Sequence, residues 1–349
     1  TRSMYSAGWR ALDAQEAIPG LPFDLVVTHI LRSENLGDPV DLARLHVVSR
    51  GMRDAVAATG RKVEEIDKDL AVRLGFLSSV QRLYRLGRLR TVSLNAAEFG
   101  QLEMLKLARA NGALWDVWAW NSKLCAHAAK GGHLEVLLWA RKQGCAWNEG
   151  TCTWAAHNGH LEVLQWARAN GCPWNRDTTS WAAMGGHLEV LQWARANGFP
   201  WNTYTCSYAA DQGHLEVLQW ARVNGCPWDT WTCALAAEGG HFEALRWARA
   251  NDAPWDEATC TWAAHNGHLE MLQWSRVNGC PWGEQTCTSA AESGHLEVLQ
   301  WLRANGCPWI LETYELAEAG EHYETMAWMI QNGIQDLDGF FEAFTEDLD

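Results

Sequence analysis

Cysteine and histidine are the residues of this sequence whose side chains could do chemistry, and they recur together. One stretch carries Cys152, His157, His160 and Cys172. Structural zinc takes such ligands from short pairs with two to four residues between the cysteines. No such pair occurs, since the nearest cysteines, such as Cys145 and Cys152, are seven residues apart. We therefore expect no metal and no cofactor, and we interpret the cysteines as small buried apolar residues.

Other chemistry finds no support in the pattern. Thr179 and Phe199 stand where other copies of the stretch have cysteine, so cysteine is dispensable there. Each repeated histidine follows a glycine at a turn, where its ring nitrogens can bond backbone groups of neighbouring turns. No nucleophile–base pair, glycine-rich phosphate loop or carboxylate pair stands outside this repeating framework. We expect a protein that is not an enzyme.

A repeat of 27 residues positions these side chains, and Thr151 to Asn175 shows it in full. A tryptophan follows the repeated histidine six residues later in every copy. A fixed period of this size is typical of a solenoid, whose units bury their apolar faces only by stacking. The histidines are His133, His160, His187, His214, His241, His268, His295 and His322.

Each unit is predicted to fold as helix–turn–helix. Thr151 is placed where an N-cap stands, and helix A follows it as far as Asn158-Gly159. Helix B is predicted from about Leu161 to Ala169 because its apolar residues recur with helical spacing. Asn170-Gly171 ends it. The fold class is therefore all-α, and two tryptophan columns, represented by Trp166 and Trp174, are expected to be buried as continuous aromatic ridges.

The stretch from Thr151 to Asn175 carries Ala-Ala, then Gly-His-Leu-Glu-Val, then a glycine with an asparagine four residues later, and this pattern resembles the ankyrin repeat. The resemblance covers roughly Val92 to Gly333 and implies an ankyrin-like α-solenoid. One departure is the length, 27 residues against about 33 in an ankyrin repeat. The missing residues fall between Asn175 and Trp181, so we expect the projecting β-turn of ankyrins to be reduced to a tight loop.

The segment from Leu21 to Val56 precedes the repeats and resembles an F-box, with Met52 where that family usually has tryptophan. The matching residues are Leu21-Pro22, Leu25-Val26, Ile30-Leu31, Asp41-Leu42, Arg44-Leu45, Val48-Ser49-Arg50 and Arg53. The resemblance implies helices that dock a Skp-type adaptor. The alternative is a helical N-terminal cap without a partner. The implied adaptor-binding residues are Leu21, Pro22, Leu25, Ile30, Leu31, Leu42, Leu45, Val48 and Arg53.

We predict five segments. They are an N-terminal arm (1–18), an F-box-like helical domain (19–60), a basic linker with a degenerate capping repeat (61–90), the ankyrin-like solenoid (91–333) and an acidic C-terminal cap (334–349). A nucleic-acid patch is the alternative for the linker. An insertion around Trp115 to Trp120 interrupts the period and is expected to form a surface bulge.

Charge and hydropathy narrow the class of partner. The formal net charge is −14, which argues against binding to nucleic acid or to an anionic membrane. No apolar run reaches the ~18 residues that would span a bilayer, and residues 1–17 carry no signal-peptide core. We expect a soluble intracellular protein, cytoplasmic or nuclear.

Positions that vary between units are the candidates for binding, because framework positions are fixed by packing. One column lies near the end of helix A and another in the loop before it, and ankyrin-like stacks place both on the concave side. The alternative is that the residues in these columns vary because nothing constrains them. Their acidic character predicts a target protein with a basic surface. The predicted partner-binding residues are His157, Arg176, Met184, Tyr204, Asp211, Trp231, Glu238, Glu257, His265, Glu284 and Glu292.

The two resemblances together are similar to the F-box/ankyrin proteins of large DNA viruses and some protists. They imply the substrate receptor of a cullin-type ubiquitin ligase, in which the F-box docks the adaptor and the repeats hold a target. The alternative is a structural scaffold, such as a virion or assembly component, that uses the array for fixed contacts. The sequence leaves the oligomeric state open.

Overall fold

The computed structural model describes residues 92–110 and 118–334, and these form 18 helices and no strand. The helices alternate as nine pairs of a helix A and a helix B. Helices A are Val92–Glu98, Trp118–Lys130, Glu149–His157, Asp177–Met184, Thr203–Asp211, Thr230–Glu238, Glu257–His265, Glu284–Glu292 and Leu311–Ala319. Helices B are Leu102–Ala110, Leu134–Lys142, Leu161–Ala169, Leu188–Ala196, Leu215–Val223, Phe242–Ala250, Leu269–Val277, Leu296–Ala304 and Tyr323–Gln331.

The all-α repeat solenoid predicted from the period is confirmed, and helix B of the reference unit has the predicted bounds, Leu161–Ala169. The chain divides into two compact units between Thr151 and Cys152. Within each compact unit, the helices A of successive repeats pack closely on one another, while the helices B of successive repeats touch over fewer residues. The loop 224–229 between successive pairs is short, and it carries no β-turn finger.

The predicted threonine N-cap is wrong. The helix A that contains Thr232 begins two residues before it, and the cap is the residue one position earlier, which is Asp229 here and Asp256, Gly283 or Ile310 in later repeats. Asp229 Oδ1 accepts a hydrogen bond from the Trp231 amide at 3.1 Å, and Asp256 does the same for Ala258. The threonine is fully buried because the neighbouring unit covers it, as Thr232 shows. Spacing within one unit could not reveal that cover.

The buried threonines instead form hydroxyl contacts between successive helices A. Ser207 Oγ donates to the Thr203 carbonyl one turn earlier at 3.1 Å, which leaves its lone pairs to accept from the Thr232 hydroxyl at 3.4 Å. Where residue 234 is alanine, Thr259 Oγ1 is buried with no partner in the described part of the chain. The contacts are Ser180–Thr205, Ser207–Thr232, Thr261–Thr286 and Thr288–Thr313.

The repeated histidines join successive units through the backbone. His214 Nε2 donates to the Met184 carbonyl at 3.1 Å, and Met184 is the last residue of helix A in the preceding repeat. The ring of His187 covers Gly159, where a Cβ atom would lie 2.6 Å from Nδ1. Gly159 also has φ of +76°, so glycine is required there for two reasons. Burial lowers the pKa of His187, a hydrogen bond with the His157 backbone opposes this shift, and the nearby His157, His160 and His214 side chains add to it.

The tryptophan columns are half-buried rather than buried. Trp201 packs edge-to-face on Trp220 of the next unit with centroids 6.1 Å apart. The Arg195 guanidinium lies over the Trp201 ring of the same repeat, with its central carbon 3.9 Å from the ring centroid. Arg195 also donates a hydrogen bond to the Phe199 carbonyl at 2.9 Å. The core itself consists of aliphatic residues such as Leu191 and of alanines. The tryptophans therefore form a paired aromatic layer over helix B, in which arginine covers the rings of the Trp174 column, as Arg168 covers Trp174 at 4.4 Å.

Several predictions lie outside the described residues. These are the arm (1–18), the F-box-like domain (19–60), the basic linker (61–90) and the acidic cap after Ile334. The insertion is described only from Trp118 onward, and residues 118–120 form the first turn of helix Trp118–Lys130 rather than a bulge. No described helix is long and apolar enough to cross a membrane.

Candidate functional site

The variable residues of the second compact unit share one side of helix A, which we name the helix A face. The positions i, i+4 and i+7 lie on the same side of an α-helix, and Tyr204, Tyr208 and Asp211 have this spacing. The first row is Asp177, Tyr204, Trp231, Ala258 and Gln285. The middle row is Trp154, Trp181, Tyr208, Leu235, Trp262 and Ser289. The last row is His157, Met184, Asp211, Glu238, His265 and Glu292.

Tyr204 and Trp231 were predicted on a loop and lie instead in the first turn of helix A. The reason is the cap two residues earlier, at Asn202 and at Asp229, which starts the helix sooner than a threonine cap would. Both aromatic residues stay half exposed, 51% for Tyr204 and 50% for Trp231. Exposed aromatic side chains on an ordered helix are typical of protein contact residues.

A continuous aromatic cluster occupies the N-terminal half of the helix A face. Trp154 and Trp181 have ring centroids 5.7 Å apart, and Tyr208 lies 6.5 Å from Trp181. Tyr204 stacks on Tyr208 at 5.6 Å, and His157 contacts the Trp181 ring edge-on at 5.1 Å. Apart from the exposed Tyr204, the members of the cluster are half-buried. The cluster therefore presents several rings together as one apolar surface.

Sequence reasoning missed the middle row, because Trp154 was taken as part of the repeat framework. The signal that could have found it is the same one used for the other columns, namely variation at a fixed position of the unit. This column contains histidine, tryptophan, tyrosine, leucine and serine, whereas the adjacent Ala155 column does not change. Its residues over the described units are His127, Trp154, Trp181, Tyr208, Leu235, Trp262, Ser289 and Leu316.

His157 differs from its counterpart in its hydrogen bonding. Nδ1 of His157 is buried and has no hydrogen-bond partner among the described residues. The corresponding His265 pairs with the Ser293 hydroxyl at 2.9 Å, but the residue that corresponds to Ser293 is Gly185, which has no hydroxyl. The hydrogen-bonding capacity of Nδ1 is therefore unmet within the part of the chain that the structure describes.

Carboxylates dominate the C-terminal half of the helix A face. Asp211 and Glu238 are neighbours in the last row and are half-buried, while Glu292 is exposed. Burial raises the pKa of Glu238, the negative charge of Asp211 raises it further, and His265 opposes both. The two carboxylates therefore lie close enough to repel each other, and the surface attracts positive charge.

The remaining predicted partner residues lie around this surface. Arg176 and Glu284 are exposed, each immediately before a first-row residue. Glu257 holds the equivalent position and is half-buried, with its carboxylate against Gly283. Met184 is half-buried, and its carbonyl is occupied by His214. The structure thus brings the predicted residues onto one side of the helices A, and their role in binding stays a prediction.

The cysteines lie away from this surface, in the core. All eleven are free thiols and buried. Burial raises the pKa of the Cys233 thiol to about 12, so it stays protonated and a poor nucleophile at neutral pH. Among the residues that the structure describes, no group of three or more His, Cys, Asp or Glu side chains could hold a metal ion.

Comparison with known proteins agrees on the kind of repeat. The family described as ankyrin repeats (many copies) matches residues 233–274. A similar solved structure is the human ASB11 ankyrin repeat domain, at 18% identity and a TM-score of 0.37, covering 45% of this chain and 84% of that one. No curated protein matches. Residues 233–274 thus match ankyrin repeats, and the described helices form an all-α repeat solenoid.

Proposed function

We propose that the chain is the substrate receptor of a cullin-type ubiquitin ligase. The helix A face holds a target protein, and residues 19–60 dock a Skp-type adaptor. The observation that supports target binding is the helix A face, where clustered aromatic rings adjoin paired carboxylates on the helices that pack most closely. Adaptor docking rests on the F-box-like pattern of the sequence, which precedes the repeats.

The face supports target binding for a physical reason. Tyr204 and Trp231 keep half of their surface in water although the core of each unit is well covered. Covering such a ring contributes ~25 cal/mol for each Å² removed from water. The helix B side offers less, because one of its two tryptophan columns is already covered by arginine, as Arg222 covers Trp228 at 4.2 Å.

Co-purification with the adaptor tests the ligase role. The adaptor should be recovered with the wild-type chain and lost from the variant Leu25→Asp/Leu45→Asp. The matched control is Trp231→Ala, which alters the helix A face and should leave adaptor recovery unchanged. No adaptor with the wild type, or equal recovery with the double variant, would contradict the proposal. A homo-oligomer that buries Leu25, Ile30 and Leu45 would indicate the scaffold instead.

Target binding is tested on the same chain without its adaptor. Affinity for a recovered target should fall with Trp231→Ala and with Glu238→Lys/Glu292→Lys. The control is Glu216→Lys, a charge reversal of an exposed residue on helix B. A target whose affinity responds to Glu216→Lys and not to the other two variants would place binding on helix B.

A further inference from the structure

Asp211 and Glu238 are neighbours in the last row of the helix A face, and His265 follows Glu238 in that row. Both acidic side chains are half-buried, and within the described ranges neither forms an ion pair. Asp211 Oδ2 accepts one hydrogen bond, from Nε2 of its chain neighbour Gln212 at 2.8 Å. Two partly desolvated carboxylates side by side are unfavourable unless positive charge reaches them.

The first compact unit shows how such a position is satisfied. Glu98 and Lys130 occupy the corresponding last-row positions of successive helices A, and Lys130 Nζ lies 2.7 Å from Glu98 Oε1. His127 Nδ1 lies 2.8 Å from the other oxygen. Burial alone would raise the pKa of Glu98, but Lys130 and His127 lower it below its usual range. Last-row neighbours thus reach each other, and a basic side chain is the group that fits beside a carboxylate.

The aromatic cluster adjoins this carboxylate pair. Tyr208 precedes Asp211 by three residues on the same helix, so the two side chains are neighbours on the surface. Trp181 continues the cluster with its ring centroid 6.5 Å from that of Tyr208. Beyond it lies the buried Nδ1 of His157, which has no hydrogen-bond partner among the described residues. Apolar and acidic surfaces therefore meet at Tyr208 and Asp211.

We propose that the helix A face binds an extended basic segment of a partner protein, with an apolar side chain against Trp181 and Tyr208 and an arginine between Asp211 and Glu238. Arginine suits this place better than lysine, because its planar guanidinium binds carboxylate oxygens through two parallel hydrogen bonds and stacks on aromatic rings. The proposal rests on target binding by this face and is independent of adaptor docking.

Fluorescence anisotropy with three blocked, dye-labelled peptides tests it on the full chain. The probes are Phe-Gly-Arg-Gly-Arg, Gly-Gly-Arg-Gly-Arg and Phe-Gly-Glu-Gly-Glu. The first should bind, the second should bind about tenfold more weakly, and the third should not bind at about 1 mM. Affinity for the first should fall as salt rises, since exposed charges are screened over ~8 Å at physiological ionic strength.

Matched charge reversals locate the site. Asp211→Lys/Glu238→Lys should lower the affinity for Phe-Gly-Arg-Gly-Arg at least tenfold, because it replaces two attractive charges by two repulsive ones. The control Glu189→Lys/Glu216→Lys makes the same change of net charge on exposed helix B residues of neighbouring units and should lower the affinity less than threefold. Tyr208→Ala should reduce the advantage of the phenylalanine peptide over the glycine peptide. Thermal melting checks that each variant is folded.

Three results would overturn the proposal. They are no binding of the arginine peptide at about 1 mM, equal binding of the glutamate peptide, or equal weakening by the two double variants. The last would show attraction by net charge alone. None of these depends on the adaptor, so loss of adaptor recovery with intact peptide binding would refute the ligase role only.

Discussion

Adding one hydroxyl group at Ala234 should stabilise the array. Ala234 is buried in helix A, and its equivalents in other units are Ser207 and Thr261, so the site has room for a hydroxyl. A serine there would donate to its own helix, as Ser207 does to the Thr203 carbonyl, and would accept from Thr259. This gives a partner to a buried hydroxyl that now has none among the described residues.

The magnitude follows from two opposing effects. Satisfying an orphaned buried hydroxyl contributes ~1–3 kcal/mol, while serine is about 0.5 kcal/mol worse than alanine in a helix. Ala234→Ser should therefore raise the free energy of unfolding by about 0.5–2.5 kcal/mol. The matched control is Ala236→Ser, at a fully buried position that is alanine in every unit from Ala155 onward, and it should destabilise.

Urea unfolding followed by tryptophan fluorescence measures the difference. Because each unit couples mainly to its neighbours, the transition need not be two-state, and the midpoint shift between the two variants is the robust quantity. Ala234→Ser should lie above the parent and Ala236→Ser below it. Equal destabilisation by both would show that the hydroxyl contacts contribute nothing between units.

Other parts of the structure give three further expectations. Trp193→Ala should cost about 2 kcal/mol in urea unfolding rather than the ~3–5 of a fully buried aromatic residue, because its ring is half-buried; a loss above 4 would contradict this. Asp256→Ala should cost ~1 kcal/mol through loss of the N-cap bond to the Ala258 amide, and no loss would remove Asp256 as the cap. Burial lowers the pKa of His187 and of His295 in the folded state, so the unfolded chain binds more protons and stability should fall as pH drops below about 6.5. His187→Gln/His295→Gln should flatten that fall, and an unchanged pH profile would refute the assignment.

How much of the fold the sequence could predict depended on which contacts lie within a unit. Gly159 and Asn170-Gly171 mark the ends of both helices locally, so helix B was predicted to the residue. Thr151 was misassigned as a cap because spacing within one repeat cannot show that its side chain is buried. Trp166 was expected to be buried, since spacing along one helix cannot show that half of the ring faces water.

The candidate site was predicted in part for a similar reason. Variation between units identified Asp211, Glu238, Tyr204 and Trp231 without knowledge of the fold. It placed the last two on a loop because the helix start was set too late. Trp181 was missed because a tryptophan in a repeat rich in tryptophan looked like framework, and only the spatial neighbourhood of Tyr208 shows that it belongs to the surface.

Hydroxyl-radical footprinting of the chain, free and with the peptide Phe-Gly-Arg-Gly-Arg, tests most directly whether the helix A face is the binding surface. Tryptophan, tyrosine and methionine are strongly oxidised when accessible, and the repeat places them on both sides of each unit. We expect the peptide to protect Trp181, Tyr204 and Tyr208 and to leave Trp193 and Trp220 on helix B unchanged. Protection of Trp193 and Trp220 alone, or of none of these residues at saturating peptide, would contradict it.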